Sequence, residues 1–296
     1  MPIRRRAFLA LLAGAGGLQS ASRALANSAE ASSAPAGQLR TLRYSLKVNN
    51  PTSKTVKAAE VRVFAPVRQG TWHRRVEVRS APSHALVEGA AGNATLRFDL
   101  DALAPYATLV LQIEADVELF ARPQRSPAPP LGMYRGAEQM LEVEDRNIGD
   151  LADSLRRPNP RDTVRNMFDW TRQNIRYVGY VVEAQGARGA LESRKGDCTE
   201  YAYLSVALVR AAGLQARVVG GFVVSGQQRL RATAYHDWAE VYLEGQWVLL
   251  DAQVGLLDPK ENANYVAFEY LSPQGEAVKL AARRFSASTP ILAEFL

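Results

Sequence analysis

Alternation of apolar and polar side chains dominates residues 39–120. Turn-forming residues such as Asn49-Asn50-Pro51 interrupt the alternation at short intervals. Five runs follow the period of two that is typical of a half-buried strand: Leu42–Val48, Ala59–Phe64, Val76–Arg79, Thr95–Leu100 and Thr108–Glu118. Several short strands at this spacing, without helical periodicity, predict an all-β sandwich domain of immunoglobulin-like type.

A proline-rich segment ends this β block. Residues 121–132 contain Pro123, Pro127, Pro129 and Pro130. Such a run is typical of a semi-rigid spacer, because proline fixes the backbone and removes a hydrogen-bond donor. We therefore place a domain boundary there, with a second domain over residues 133–296.

The apolar spacing changes to a helical period beyond the spacer. Apolar stripes predict three helices, and alternation predicts three later strands. The helices are Ile148–Leu155, Asp162–Ile175 and Thr199–Ala212, and the strands are Ala216–Val224, Tyr235–Leu243 and Gln246–Asp251. Helices followed by antiparallel strands predict an α+β domain. The pattern from Leu256 to Leu296 is mixed, and we expect this tail to add strands and loops whose positions the pattern does not indicate.

The first 26 residues predict an export signal. Three arginines precede the apolar run Ala7–Leu18, and the small-x-small site Ala24-Leu25-Ala26 follows. The run is shorter than the roughly 20 apolar residues that span a bilayer. The arginines before Ala7 favour the twin-arginine route, with an ordinary Sec signal as the alternative. Residues 27–38 are interpreted as a flexible lead-in. We expect a periplasmic or extracellular protein without a membrane span once the signal is removed.

Charge and composition exclude several classes of function. The net charge is +6, but residues 1–26 hold four arginines and no acid, so the remainder has a net charge of +2. A near-neutral chain has no electrostatic footprint for nucleic acid. One cysteine excludes an intrachain disulfide and a thiolate zinc site. His73 and His84 lack partners at metal-ligand spacing, and we interpret them as surface or turn histidines. We therefore expect no metal, no cofactor and no nucleic-acid partner.

The single cysteine, Cys198, lies where a helix begins. It follows Gly196-Asp197, and the glycine allows a tight turn that presents the thiol. Unpaired N–H groups and the helix dipole at this position favour the thiolate, which is the reactive form. A lone cysteine is nevertheless more often a small buried apolar residue, so a second signal is needed.

That second signal is a predicted β-hairpin that begins at His236. A two-residue turn at Glu244-Gly245 sets a register in which Asp251 lies opposite Trp238. His236 and Asp251 are then diagonal neighbours on one face, about 7–8 Å apart between backbones. A register slip of one residue would separate them. A thiol, an imidazole and a carboxylate in this order form the nucleophile, base and orienting group of acyl-transfer enzymes.

Three separated motifs resemble the transglutaminase-like superfamily. They are Gly196–Ala202, His236–Tyr242 and Trp247–Asp251, within residues 161–253. The resemblance implies a papain-like core with Cys198 as nucleophile, His236 as base and Asp251 as orienting residue. It also implies that a bacterial member hydrolyses amides or peptides. Asp197-Cys198-Thr199 departs from the Gln-Cys-Trp of animal cross-linking enzymes, which argues against protein cross-linking and a calcium requirement.

The sequence therefore predicts an α+β protein, with a papain-like transglutaminase core preceded by an all-β immunoglobulin-like sandwich. The Cys198 thiolate would attack an amide carbonyl and form a thioester. The Cys198 N–H and a second donor would hold the oxyanion, with Gln185 and Tyr180 as candidates for that donor. Trp238 is either a wall of the acyl site or a structural aromatic residue.

Three alternatives remain open at this stage. In the first, an amine instead of water attacks the thioester, and the protein is a transamidase. In the second, the protein is a non-catalytic periplasmic binding or scaffold module with a vestigial triad. The third concerns the protein or peptide amide that is the substrate: a cell-envelope peptide is a candidate that only the export signal suggests.

Overall fold

The computed structural model describes residues 37–130, 132–271 and 284–296. The predicted export signal and residues 27–36 of the lead-in lie outside these ranges. The strands are β1 (Gln38–Asn49), β2 (Val56–Ala65), β3 (His73–Ala81), β4 (Ala85–Glu88), β5 (Ala94–Leu103), β6 (Thr108–Leu119), β7 (Arg176–Tyr177), β8 (Lys195–Gly196), β9 (Ala216–Val223), β10 (Gln228–Arg229), β11 (His236–Leu243), β12 (Gln246–Asp251), β13 (Leu256–Leu257), β14 (Tyr265–Tyr270), β15 (Phe285–Ala287) and β16 (Leu292–Phe295). The helices are α1 (Arg146–Leu155), α2 (Pro160–Asn174), α3 (Gly186–Ser193) and α4 (Cys198–Ala211).

The elements predicted from periodicity are confirmed near their predicted bounds. The strand β12 spans the predicted residues, and β9 and β11 each differ from their predictions by one residue at one end. The helix α4 starts one residue earlier than predicted, so Cys198 is its first residue. Gly213 follows α4 with a φ of 83°, the left-handed conformation that ends helices and that glycine adopts without strain.

The first half of the chain forms two sheets that share one apolar cluster. One sheet has the order β10-β1-β6-β3, with β16 also on β1, and the other has the order β15-β2-β5-β4. Tyr44 of β1 pairs with Ile113 of β6, and Val61 of β2 pairs with Phe98 of β5. All four side chains lie in the shared cluster. Residues 39–120 are thus rich in strands, as expected, and the immunoglobulin-like type stays a prediction.

Later segments complete these two sheets. The strands β10, β15 and β16 come from the second half of the chain and pair with β1 and β2. Phe222 and Phe268, from β9 and β14, bury their rings in the same cluster. The spacer lies along the turn between β11 and β12, because the Ser126 N–H donates to Gly245 O at 3.3 Å. The predicted boundary at residues 121–132 itself stays a prediction.

The second half packs helices against an antiparallel sheet of order β13-β12-β11-β9-β14. The helix α4 is buried from Glu200 to Arg210 with few interruptions, which is typical of a central helix. Leu204 and Leu208 of α4 pack with Val218 and Val241 of the sheet. Side chains of the first half, including Trp72, cover the other face of the sheet. Burial on both faces gives the elements that carry the candidate site a rigid support.

The interpretation of His73 as a surface or turn histidine is wrong. His73 begins β3 and is fully buried. Its ring occupies the space where a side chain on Gly70 would lie, so the two residues approach closely. Burial lowers the pKa of His73 to about 4, because a charged imidazole is costly away from water. His84 is half-buried and hydrogen-bonds with Ser80 at 2.6 Å.

Among the residues that the structure describes, each helix is too short or too polar to cross a bilayer.

Candidate active site

A network of hydrogen bonds fixes Cys198 at the start of α4. The side chain of Asp197 accepts from the Thr199 N–H at 2.8 Å, and the side chain of Glu200 accepts from the Asp197 N–H at 3.0 Å. This reciprocal pair is a capping box, which stabilises the first turn. Cys198 is partly exposed. The thiol therefore lies at the positive end of a central helix and is accessible to a substrate.

The glycine before this helix is needed for a reason other than the one predicted. Gly196 is not among the residues with a positive φ, so a left-handed turn does not require it. A side chain at this position would instead clash with the Glu200 side chain. Glu200 is fully buried and forms part of the capping box, so its side chain cannot move away. Position 196 therefore requires glycine, the residue without a Cβ.

The predicted hairpin register is confirmed. Leu243 pairs with Gln246, and the pairing continues to Ala239 opposite Leu250. The two turn residues, Glu244 and Gly245, have φ values of 52° and 84°. Two positive φ values are what a type I′ turn requires, and this turn matches the twist of the strands it joins.

His236 and Asp251 meet across this hairpin. The distance between His236 Nε2 and Asp251 Oδ2 is 2.5 Å. The side chains are 14% and 1% exposed, so water barely competes for the interaction. The diagonal contact that the register predicted is therefore present as a direct hydrogen bond.

Two further donors hold the Asp251 carboxylate in place. The Tyr265 hydroxyl donates to Oδ2 at 2.8 Å, and the Val254 N–H donates to Oδ1 at 3.2 Å. Both carboxylate oxygens are thus engaged, which fixes the orientation of the group that His236 contacts. The sequence pattern did not predict this role of Tyr265. It lies in β14, where all six residues are buried and no alternation marks a face.

The electrostatic environment of His236 favours its protonated form. Burial disfavours the charge, but hydrogen bonds with Asp251 and Cys198, and the negative charges of both groups, outweigh it. Together they raise the pKa of His236 to about 10. Cys198 and Asp251 therefore both lie beside the imidazole, and both favour its protonated form.

A second hydrogen bond joins the same two elements. The Thr199 hydroxyl donates to Asp237 Oδ2 at 2.8 Å. Thr199 follows Cys198 and Asp237 follows His236, so this bond ties the first turn of α4 to the start of β11. It fixes the relative position of the thiol and the imidazole from the side.

A cavity of about 370 Å³ adjoins these residues. Its walls include Asp197 and Thr199, the neighbours of Cys198, and Tyr235 and Asp237, the neighbours of His236, but neither Cys198 nor His236 is part of the lining. Because side chains alternate along a strand, Asp237 lies on the opposite face of β11 from His236. Tyr180 also lines it. The volume lies in the range of small-molecule pockets, which start near 300 Å³.

The other predicted site residues lie around this centre without bonding to the thiol. Trp238 is 1% exposed, and its ring lies 6.2 Å from that of His236 between centroids. Tyr180 is 78% exposed on the cavity wall. The Gln185 N–H donates to Glu200 Oε1 at 2.9 Å. Within the described ranges no hydrogen bond joins Gln185 or Tyr180 to Cys198, and the oxyanion and wall assignments stay predictions.

Comparison with known families agrees with this geometry. Residues 149–252 match the model of the transglutaminase-like superfamily, and the match contains Cys198, His236 and Asp251. These residues form a transglutaminase-like core. The resemblance seen in the sequence motifs is therefore confirmed. No curated protein matches the chain significantly.

Two solved structures match the chain, and the first of them shows a similar fold. A proposed cysteine protease from Cytophaga hutchinsonii superposes with a TM-score of 0.58 at 17% identity, over 88% of this chain and 92% of that protein. The periplasmic domain of TgpA from Pseudomonas aeruginosa, bound to ethylmercury, gives a TM-score of 0.35 at 17% identity, over 72% and 90% of the two chains. At this identity the first similarity shows that the fold is shared, not that the activity is.

Proposed function

We propose that this chain is an exported cysteine hydrolase that cleaves an amide or peptide bond through a thioester on Cys198. The observation that carries the proposal is the 2.5 Å contact between His236 and Asp251, with Cys198 beside the same imidazole. A nucleophile, a base and an orienting carboxylate in contact are the arrangement that acyl transfer requires.

In the first step the Cys198 thiolate attacks the amide carbonyl carbon, and a carbon–sulfur bond forms. The His236 imidazolium donates its proton to the amide nitrogen as the carbon–nitrogen bond breaks, and the amine leaves. The Cys198 N–H, in the first turn of α4, has no intrahelical acceptor and is placed to stabilise the oxyanion. Gln185 or Tyr180 is proposed as the second donor. The N–H of Gln185 is already bonded to Glu200, so for this residue the donor would be the side-chain amide.

In the second step the neutral His236 removes a proton from water, which attacks the thioester carbonyl. The carbon–sulfur bond breaks, the acid leaves, and the thiolate–imidazolium pair is restored. Asp251, held by Tyr265 and Val254, keeps the ring in one orientation through both steps. Trp238 is proposed to support that ring from the side.

The export and domain assignments belong to the same proposal. The segment 1–26 has the three regions of a signal peptide, so we place the protein in the periplasm or outside the cell. The two sheets of the first half share one core, and we propose that they are an immunoglobulin-like sandwich. Export makes a cell-envelope peptide a candidate substrate.

The test is capture of the thioester. The protein is incubated with a proteome-derived peptide mixture, quenched in acid and weighed intact. We expect an adduct in the wild type and in Asp150→Asn, an exposed control on α1, and none in Cys198→Ala. Products made in ¹⁸O-labelled water separate the outcomes. Label in new carboxyl groups supports hydrolysis, whereas amide products with added methylamine support the transamidase. If neither an adduct nor a product forms, the result favours the non-catalytic binding module.

A further inference from the structure

The residues around β7 and β8 carry positive charge without acidic residues beside them in the sequence. Arg172 lies in the last turn of α2, Arg176 in β7 and Lys195 in β8. We call these three residues the basic rim, and each of them is exposed. Residues 170–182 contain no aspartate or glutamate, so the sequence around β7 supplies no local counter-charge.

The side chains of the basic rim lack protein partners. In the parts of the chain that the structure describes, none of the three forms an ion pair or donates a hydrogen bond from its side chain. The acids on either side of β8 are engaged elsewhere. Glu192 pairs with Arg188 at 3.5 Å. The side chain of Asp197 accepts from the N–H groups of Val181 and Thr199, at 2.9 and 2.8 Å. No described carboxylate therefore pairs with the basic rim.

Two of these cations are held side by side. The strands β7 and β8 pair in parallel, with Arg176 next to Lys195 in the register. Paired strands lie about 4.8 Å apart, and side chains at paired positions leave the sheet on the same face. Like charges in such positions repel and destabilise a sheet. An anion bound between the two side chains would replace this repulsion by attraction, so the pair indicates an anion site.

The basic rim borders the candidate active site at two points. Lys195 precedes Cys198 by three residues, so their Cα atoms are at most roughly 10 Å apart. The guanidinium of Arg172 lies within 3.1 Å of the point that a Cβ on Gly255 would occupy. The Gly255 N–H in turn donates to Asp251 O at 3.0 Å. Because one residue of an extended peptide spans about 3.4 Å, the rim is within reach of the first three substrate residues on one side of the reacting carbonyl.

We propose that the basic rim binds a carboxylate of a peptide substrate, so that the enzyme prefers an acidic residue within about three positions of the amide it cleaves. The inference rests on the proposed function, because it assigns the rim to the substrate that Cys198 attacks. Carboxylate is the anion that an unmodified peptide carries at neutral pH, and a guanidinium binds it through two parallel N–H donors.

Matched pairs of alkylating peptides test the proposal. The two members of a pair differ only in having glutamate or glutamine at one of the three positions nearest the reactive group. One series carries a chloroacetyl group at its amino end and the other a chloromethyl ketone at its carboxyl end, so both directions from the thiol are covered. Intact mass gives the rate constant for alkylation of Cys198, and the glutamate-to-glutamine ratio within one variant cancels any change in thiol reactivity.

We expect at least one pair to show about a fivefold preference for glutamate, the size expected for a carboxylate between two exposed cations. The preference should decrease in about 0.5 M sodium chloride, because salt screens exposed charges.

Arg176→Gln and Lys195→Gln each remove one cation of the pair and should each lower the ratio about twofold, and the double variant should bring it to about one. The control is Arg165→Gln. Arg165 is an exposed arginine of α2, also without an ion pair to any described residue, and it lies roughly 10 Å from Arg172 along the helix. This variant should keep the wild-type ratio. Equal rates within every pair in the wild type, or a preference that persists in the double variant, would overturn the proposal.

The same data separate this proposal from the proposed function. Alkylation by the glutamine probes that does not depend on His236 would count against the cysteine hydrolase, while the ratio would still report on the basic rim. If Cys198 reacts with none of the probes, calorimetry on Cys198→Ala decides. Tighter binding of an acetylated five-residue peptide with glutamate at its centre than of its glutamine counterpart supports the basic rim as a carboxylate site, and equal or absent binding overturns it.

Discussion

Replacement of Asp251 by asparagine should lower the pKa of His236. The substitution keeps the size of the side chain and its capacity to accept from Tyr265, and it removes the negative charge beside the imidazole. Asp251 is 2% exposed, so no solvent ion can take over this role easily. The carboxylate is one of two groups that hold the proton on His236, and the other is Cys198.

The size of the effect follows from the elevated pKa. A rise from 6.5 to about 10 corresponds to about 5 kcal/mol in favour of the imidazolium, at about 1.4 kcal/mol for each pKa unit. Burial opposes this rise, so Asp251 and Cys198 together contribute more than the net amount. If they share that contribution about equally, the asparagine variant loses more than ~2.5 kcal/mol and its His236 titrates at least about two pH units lower than in the wild type.

The assay is NMR observation of the histidine Cε1–H signals from pH 3 to 11. The chain has three histidines, and the structure separates them. Burial lowers the pKa of His73 to about 4 and also lowers that of His84, whereas the pKa of His236 is about 10. Asp150→Asn, whose side chain is 73% exposed on α1, is the matched control. A His236 signal that titrates near pH 6.5 in the wild type would refute the reasoning. So would a His236 signal with the same titration midpoint in Asp251→Asn as in the wild type.

Three further substitutions test the supports of the site. Tyr265→Phe removes one hydrogen bond to Asp251, so it should lower the free energy of unfolding by about 1 kcal/mol and slow alkylation of Cys198. Urea unfolding and iodoacetamide kinetics measure the two effects. Unchanged values would show that the Tyr265 hydroxyl does not support Asp251. Gly196→Ala forces a methyl group into the Glu200 side chain and should cost roughly 2 kcal/mol, seen as a lower Tm; a wild-type Tm would contradict the packing described. His73 stays neutral down to about pH 4 when folded but takes up a proton below about 6.5 when unfolded, so stability falls as pH drops through that window. His73→Gln should make the loss of stability between pH 7 and pH 4 smaller by about 3 kcal/mol. Urea unfolding at both pH values measures this loss, and an equal loss in His73→Gln and wild type would show that His73 is charged in the folded protein.

The sequence was sufficient for the parts of the site that local chemistry determines. The turn at Glu244-Gly245 requires two positive φ values, and this requirement alone sets the register that brings His236 to Asp251. The start of α4 is likewise marked by a local capping signal at Asp197. In both places the determining residues lie within a few positions of each other.

The parts that were missed depend on distant contacts. The strand β14 is buried on both faces, between the cluster that contains Phe268 and the one that contains Tyr265, so it has no alternation to read. Tyr265 could therefore not be assigned to Asp251. The strands β10, β15 and β16 have two to four residues and pair with β1 and β2 across most of the chain length, which no local pattern encodes. The ring of His73 packs against Gly70, which lies outside its own strand.

The most direct test of the central claim is the alkylation rate of Cys198 by iodoacetamide at neutral pH, compared between wild type and His236→Ala. The control is His84→Ala, because His84 is half-buried beside Ser80, away from the site. We expect His236→Ala to lower the rate constant by more than about tenfold, since the cation that favours the thiolate is lost, and His84→Ala to leave it unchanged. Equal rate constants in His236→Ala and wild type would contradict the claim that Cys198, His236 and Asp251 act as one catalytic unit.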